Sequence, residues 1–159
     1  MTTNTRLPRW TCTLIAALLV ASSAPGAPTA PRKASKTPAF RDVKAQTAEF
    51  MKYADMSLAP EQQAIKDEVL ASIPTVCCKK FSMKTCCCPC NMAMTIWGLS
   101  NYMLVVKGAN EAELKSAVLD WVRFIGPQGY TGDACFTGGC GRPFAKNGCG
   151  GMDHKNVIF

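Results

Sequence analysis

Cys86-Cys87-Cys88-Pro89-Cys90 places four thiols in five positions directly ahead of a long apolar stretch, and Cys77-Cys78 stands just upstream. Neighbouring side chains point in different directions, so such a run cannot serve a single core face. The chain has to fold so that one turn offers sulfur to several neighbours at once. Thiols meet that demand in two ways, by oxidising to disulfides or by binding soft metals as thiolates. In a disulfide framework, Cys86, Cys87 and Cys88 each require a separate partner with its Cα within about 7 Å. Thiolates around one or more ions impose a looser demand, because a sulfur can bridge between ions.

The N-terminal residues carry a different signal. Arg6 and Arg9 precede an apolar run from Trp10 to Ala21, small residues follow to Ala27, and no acidic residue occurs before Asp42. This layout predicts a secretory signal peptide over residues 1–26. The apolar run has 12 residues, short of the roughly 20 that span a membrane, so no spanning segment is expected in the mature chain. Residues 27–38, rich in Ala, Pro, Ser and Thr, read as a disordered linker. A cysteine-rich helical domain is expected over 39–159. The protein is expected to be exported, to a periplasm or the extracellular space, where disulfides persist.

Export alters the cysteine arithmetic. The chain has 10 cysteines, and Cys12 leaves with the signal. The remaining odd number allows four bridges at most and strands one thiol. Charge is less informative. The formal net charge is +7, and Arg32, Lys33, Lys36, Arg41 and Lys44 crowd the start of the mature chain, which reads as a solvated linker and first helical turn. Basic residues are not interleaved with aromatics as a nucleic-acid groove requires, and no nucleic-acid partner is expected.

Four helices are legible. Phe40, Val43, Thr47, Phe50 and Ala54 recur at helical spacing. A second helix starts at Pro60, favourable at a first helical position, runs through Ile65, Val69, Leu70 and Ile73, and stops at Pro74. A third, apolar nearly all round, runs from Pro89 or Cys90 to about Lys107 and belongs at the centre of a small bundle. Asn110 with Glu113 forms a capping box for a fourth, whose buried stripe is Leu114, Ala117, Val118, Trp121, Val122 and Ile125. Beyond Gly126 the glycine density admits no regular element. The expected fold is mainly α: a bundle of about four helices with a cysteine-rich connector and an irregular Gly/Cys-rich C-terminal tail.

The tail carries Cys135-x4-Cys140-x8-Cys149-x4-His154, three cysteines and the one histidine of the chain. Such donors make a complete zinc or copper set. In the connector, Cys87 and Cys90 form a C-x-x-C bite and Cys88 and Cys90 a C-x-C. Cys90 sits where helix N–H groups favour negative charge and is expected to have the lowered thiol pKa. Met94, one turn further on, is a candidate thioether, although methionine more often fills cores. A short connection makes the third and fourth helices antiparallel, which returns the tail to the first cluster. The candidate ligands are therefore one composite set: Cys77, Cys78, Cys86, Cys87, Cys88, Cys90, Cys135, Cys140, Cys149 and His154.

Cys87-Cys88-Pro89-Cys90, followed by Asn91-Met92-Ala93, resembles the C-x-P-C turn and helix start of the thioredoxin family over about seven residues. The resemblance implies Cys87 as attacking thiol and Cys90 as resolving thiol. The segment before it, Lys79 to Thr85, lacks the buried apolar strand of that family.

The chain reads as a binding protein more than an enzyme. The expected function is binding of a soft metal ion, Cu(I) or Zn(II), for storage, transfer or sensing, with a protein partner for metal or thiol exchange. The alternatives are a disulfide-stabilised secreted interaction domain and a thiol–disulfide oxidoreductase. No phosphate-binding loop is present, since the glycine-rich tail lacks the lysine and following helix one requires.

Overall fold

The computed structural model describes residues 36–130 and 132–159. The predicted signal peptide, with Cys12, and most of the predicted linker lie outside the described residues. Four helices form in chain order: α1 Val43–Met51, α2 Pro60–Ala71, α3 Asn91–Val105 and α4 Glu111–Ile125. No strand occurs among the described residues. Pro74 and Ser82 form an isolated bridge in the connector, and two short 3-10 turns, Gly139–Gly141 and Phe144–Lys146, interrupt the tail.

Local chemistry accounts for where these helices start. Asp42 caps α1 by accepting the Ala45 N–H at 2.8 Å. Pro60 opens α2, and the Gln62 side chain reaches back to the Ala59 N–H at 3.2 Å. At α4 the Asn110 Oδ1 accepts from the Glu113 N–H and Glu113 Oε2 from the Asn110 N–H, each at 2.9 Å. Glu113 also pairs with Lys36 Nζ at 3.4 Å, and Lys36 donates to the Gly108 carbonyl. The last residues of the predicted linker are thus tied to the turn between α3 and α4. Replacing Asn110 with alanine removes the arm in which its side chain accepts from the Glu113 N–H and is expected to cost about 1 kcal/mol, read from urea unfolding. A loss below about 0.3 kcal/mol would show that the box contributes little.

Helix α3 is the centre. It packs against α1, α2 and α4, and its residues are buried on every side, from Met92 and Ala93 through Ile96, Leu99 and Ser100 to Leu104. All six residues of the predicted α4 stripe are buried. Phe40 and Phe50 meet Trp121 edge-on, with centroids 5.1 and 5.2 Å apart, an arrangement that suits the ring quadrupoles. Buried Asn101 is supplied with partners on both sides of its amide. Asn101 Nδ2 donates to the carbonyl of Tyr53 at 2.7 Å and to those of Ala54 and Met56 at 3.3 Å, while its Oδ1 accepts from Lys66 Nζ at 2.7 Å.

The apolar reading of α3 fails at its end. Val105 and Val106 are exposed, at 42% and 52%, because the helix stops there and Gly108, at φ +55°, turns the chain away. No helix among the described residues is long and apolar enough to cross a membrane.

The tail is packed despite its irregularity. Phe144, Ala134 and Cys149 are buried. Gly150 adopts φ +74°, and a Cβ there would lie 2.4 Å from the Phe144 ring; only glycine permits that backbone and that approach. The tail also completes α3. The N–H groups of Asn91 and Met92, which have no partner within the helix, donate to the carbonyls of Gly151 and Cys149 at 3.0 Å each.

Candidate functional site

Those two hydrogen bonds fix the tail at the end of α3 where the cysteine turn lies, the delivery that the short α3–α4 connection predicts. A third main-chain bond, from Cys135 N–H to the Cys77 carbonyl at 3.0 Å, joins tail to connector. A fourth, from Cys149 N–H to the Gly139 carbonyl at 2.8 Å, closes the tail on itself.

Eight of the nine described cysteines sort into two groups of four. In the first, Cys77 touches Cys86 and Cys149, and Cys90 touches the same two. The contacts close a ring, Cys77–Cys86–Cys90–Cys149. Cys77, Cys90 and Cys149 are buried and Cys86 is half-buried. In the second, Cys87 Sγ lies 3.8 Å from Cys135 Sγ and 4.0 Å from Cys88 Sγ. Cys140 adjoins Cys135 and lies within electrostatic reach of Cys88. This outer group has Cys87 exposed and the other three half-buried. Cys78 is buried in the same core, and its carbonyl accepts from the Thr75 hydroxyl.

The inner ring has a direction. Cys86 is the acceptor: S–H donation from Cys77 and Cys90, with the N–H groups of Cys88 and Cys87, holds its pKa down to about 3. Cys77 accepts from Cys149 but gives its own proton to Cys86 and is buried, which pushes it up to about 12. Cys90 likewise accepts from Cys149, yet donation to Cys86 and burial raise it. Cys149, donor to both Cys77 and Cys90 and desolvated, is raised as well. The sequence expectation that Cys90 is the thiolate is therefore corrected. Its sulfur faces the Ala93 amide without closing a capping hydrogen bond, and the helix N-terminus is outweighed by the neighbouring thiols. Burial raises the Tyr130 phenol, reinforced by Cys149, Cys77 and Cys90, and its hydroxyl donates to the Phe144 carbonyl at 3.2 Å. In the outer group, burial raises Cys88, and burial with the Cys87 contact takes Cys135 up to about 12.

A pH dependence of the reduced, metal-free protein follows. Between about pH 3 and the ordinary thiol value of 9.0, Cys86 is deprotonated in the fold and protonated when unfolded, so stability rises with pH. From 9.0 to about 12, Cys77 keeps a proton that the unfolded chain has lost, so stability falls. Urea midpoints in reductant and chelator are expected to rise from pH 5 to about pH 9 and then decline. A steady fall from pH 5 upward would contradict the assignment of Cys86.

As they stand, no three or more His, Cys, Asp or Glu side chains among the described residues are arranged to hold an ion; the groups are sets of pairwise contacts. The two sulfur spacings at Cys87 are of the size found around one. Four sulfurs about 2.3 Å from a tetrahedral ion stand about 3.8 Å apart, against the 3.8 and 4.0 Å seen at Cys87. His154 meets the cysteine turn at the residue between Cys88 and Cys90. Its Nε2 is 3.3 Å from the Pro89 carbonyl oxygen, and it lines a cleft of about 290 Å³ with Lys44, Met51 and Phe159. Met92 is buried in the core and Met94 is half-buried.

Cys87 and Cys90, paired by the C-x-P-C resemblance, fall in different groups. The resemblance therefore ends at the turn. No family model matches the chain, and no curated protein or solved structure matches it.

What the sequence does not reveal is the partition of the thiols. Cys86 and Cys90 turn inward while Cys87 and Cys88 turn outward. The signal available is the four-residue step from Cys86 to Cys90 across the proline turn, which brings both to one side.

Proposed function

We propose that this protein binds soft metal ions, Zn(II) or Cu(I), through its clustered thiolates, for storage, transfer or sensing. The observation that carries the reading is the sorting of eight cysteines into two groups of four, each drawn from connector and tail. Cys77, Cys86, Cys90 and Cys149 would hold one ion; Cys87, Cys88, Cys135 and Cys140 would hold another. A set of four thiolates favours Zn(II) among these ions. The amides of Cys87 and Cys88 at Cys86 stabilise a thiolate, the form that ligates. Closing a group on an ion requires each sulfur to release its proton and turn to a common centre, so binding releases protons.

The same contacts would also serve disulfide formation, and the exposed Cys87–Cys135 pair at 3.8 Å favours that second reading most. Intact mass, thiol counting and metal analysis on protein purified without reductant separate the two. Bound zinc or copper with the thiols unoxidised is expected. A metal-free chain about 8 Da lighter than its reduced form, the mark of four bridges, would replace metal binding with the disulfide scaffold.

A further inference from the structure

The two groups differ in cover: three of the inner sulfurs are buried, with Cys86 half-buried, and none of the outer four is buried. In the inner ring Cys77, Cys90 and Cys149 are 2%, 1% and 0% exposed. Their main chain is also fastened. The Cys77 carbonyl accepts from the Cys135 N–H, the Cys149 carbonyl from the Met92 N–H, and the Cys149 N–H donates to Gly139. Freeing any of these sulfurs means opening the junction of tail, connector and α3. The outer group has no such cover. Cys87 is exposed and Cys88, Cys135 and Cys140 are half-buried. Phe136, next to Cys135, is 70% exposed with Lys80 Nζ over its ring at 5.7 Å. An incoming thiol reaches Cys87 from solvent without moving the core.

Resting on the metal-binding reading, we propose that the two groups have separate duties. The inner ring of Cys77, Cys86, Cys90 and Cys149 keeps a permanent tetrahedral ion that orders the tail. The outer group of Cys87, Cys88, Cys135 and Cys140 holds a second ion as exchangeable cargo, passed to thiol-bearing acceptors. Transfer begins at Cys87. A thiolate of the acceptor forms a bond to the ion as the Cys87–metal bond breaks, and Cys87 leaves with its electron pair as a thiolate that takes a proton from water. The ion keeps its charge, and no electron is transferred. Repetition at Cys88, Cys135 and Cys140 completes the handover.

The test uses the full chain as its host processes it, loaded with zinc and mixed with excess chromophoric chelator. Two zinc ions per chain are expected, one leaving at least about a hundredfold more slowly because its release needs a local opening. Cys87→Ser and Cys140→Ser are each expected to carry a single zinc ion, to lose the fast phase alone, and to keep the helical circular dichroism of the parent. Two ions leaving in one phase would overturn the division of duties while leaving metal binding intact. So would a fast phase that survives Cys87→Ser, or loss of helical signal in both variants. A chain that takes up no zinc and is fully disulfide-bonded would overturn metal binding itself, and the division with it.

Discussion

Cys149→Ser is expected to remove the stability that zinc confers through the inner ring. Cys149 is fully buried and is the one sulfur of the tail that meets both Cys77 and Cys90. A serine hydroxyl in that place is a poor ligand for a soft ion, and three thiols do not complete a tetrahedron. An ion bound only by the folded state adds about 4 kcal/mol at a thousand times its Kd. Urea midpoints with and without zinc should therefore separate for the parent by roughly that amount more than for Cys149→Ser. The matched control is Cys78→Ser, a buried cysteine of the same connector that the proposed sites leave out. If Cys149→Ser keeps the whole zinc-dependent shift, or Cys78→Ser loses it, the ring is wrongly drawn.

The second large effect lies in the scaffold. A Cβ on Gly98 would stand 1.9 Å from the Phe50 carbonyl oxygen, 2.7 Å from its carbon and 3.2 Å from the Ala54 nitrogen. All three are main-chain atoms of α1 and the turn after it, so no side chain can rotate out of the way. Alanine in a helix interior is ordinarily better than glycine by about 1 kcal/mol. Here the sign reverses, because α1 has to be pushed off α3, and Gly98→Ala is expected to cost about 3 kcal/mol or more. Chemical denaturation monitored by circular dichroism measures it. An unchanged or raised midpoint would mean that α1 does not rest on α3 as described. The site depends on this contact, since α3 begins next to Cys90.

Helix α4 was legible in full because its cap, its stripe and its stop coincide. The Asn110–Glu113 box and the buried six are all local properties of 15 residues. Helix α3 was legible as central but not at its end, where Val105 and Val106 are apolar by composition and exposed by position. The meeting of tail and turn followed from loop length. The partition of the thiols did not, because it depends on which way each side chain leaves a proline turn and on which tail carbonyls close α3. Assigning the thiolate to Cys90 rested on one local field. In the fold, four sulfurs compete for few protons, and Cys86, with two thiol donors and two amides, wins.

The carbonyls of Cys149 and Gly151 that finish the first turn of α3 come from residues made long after that helix. During synthesis, then, Cys77, Cys86 and Cys90 emerge long before the partner that joins them. The inner ring can come together only once Cys149 has been made. A chain interrupted before residue 149 presents three unsatisfied thiols and a helix with an open start. Ring closure thus waits on Cys149, and the order of translation itself sets when the four sulfurs of the ring can first meet.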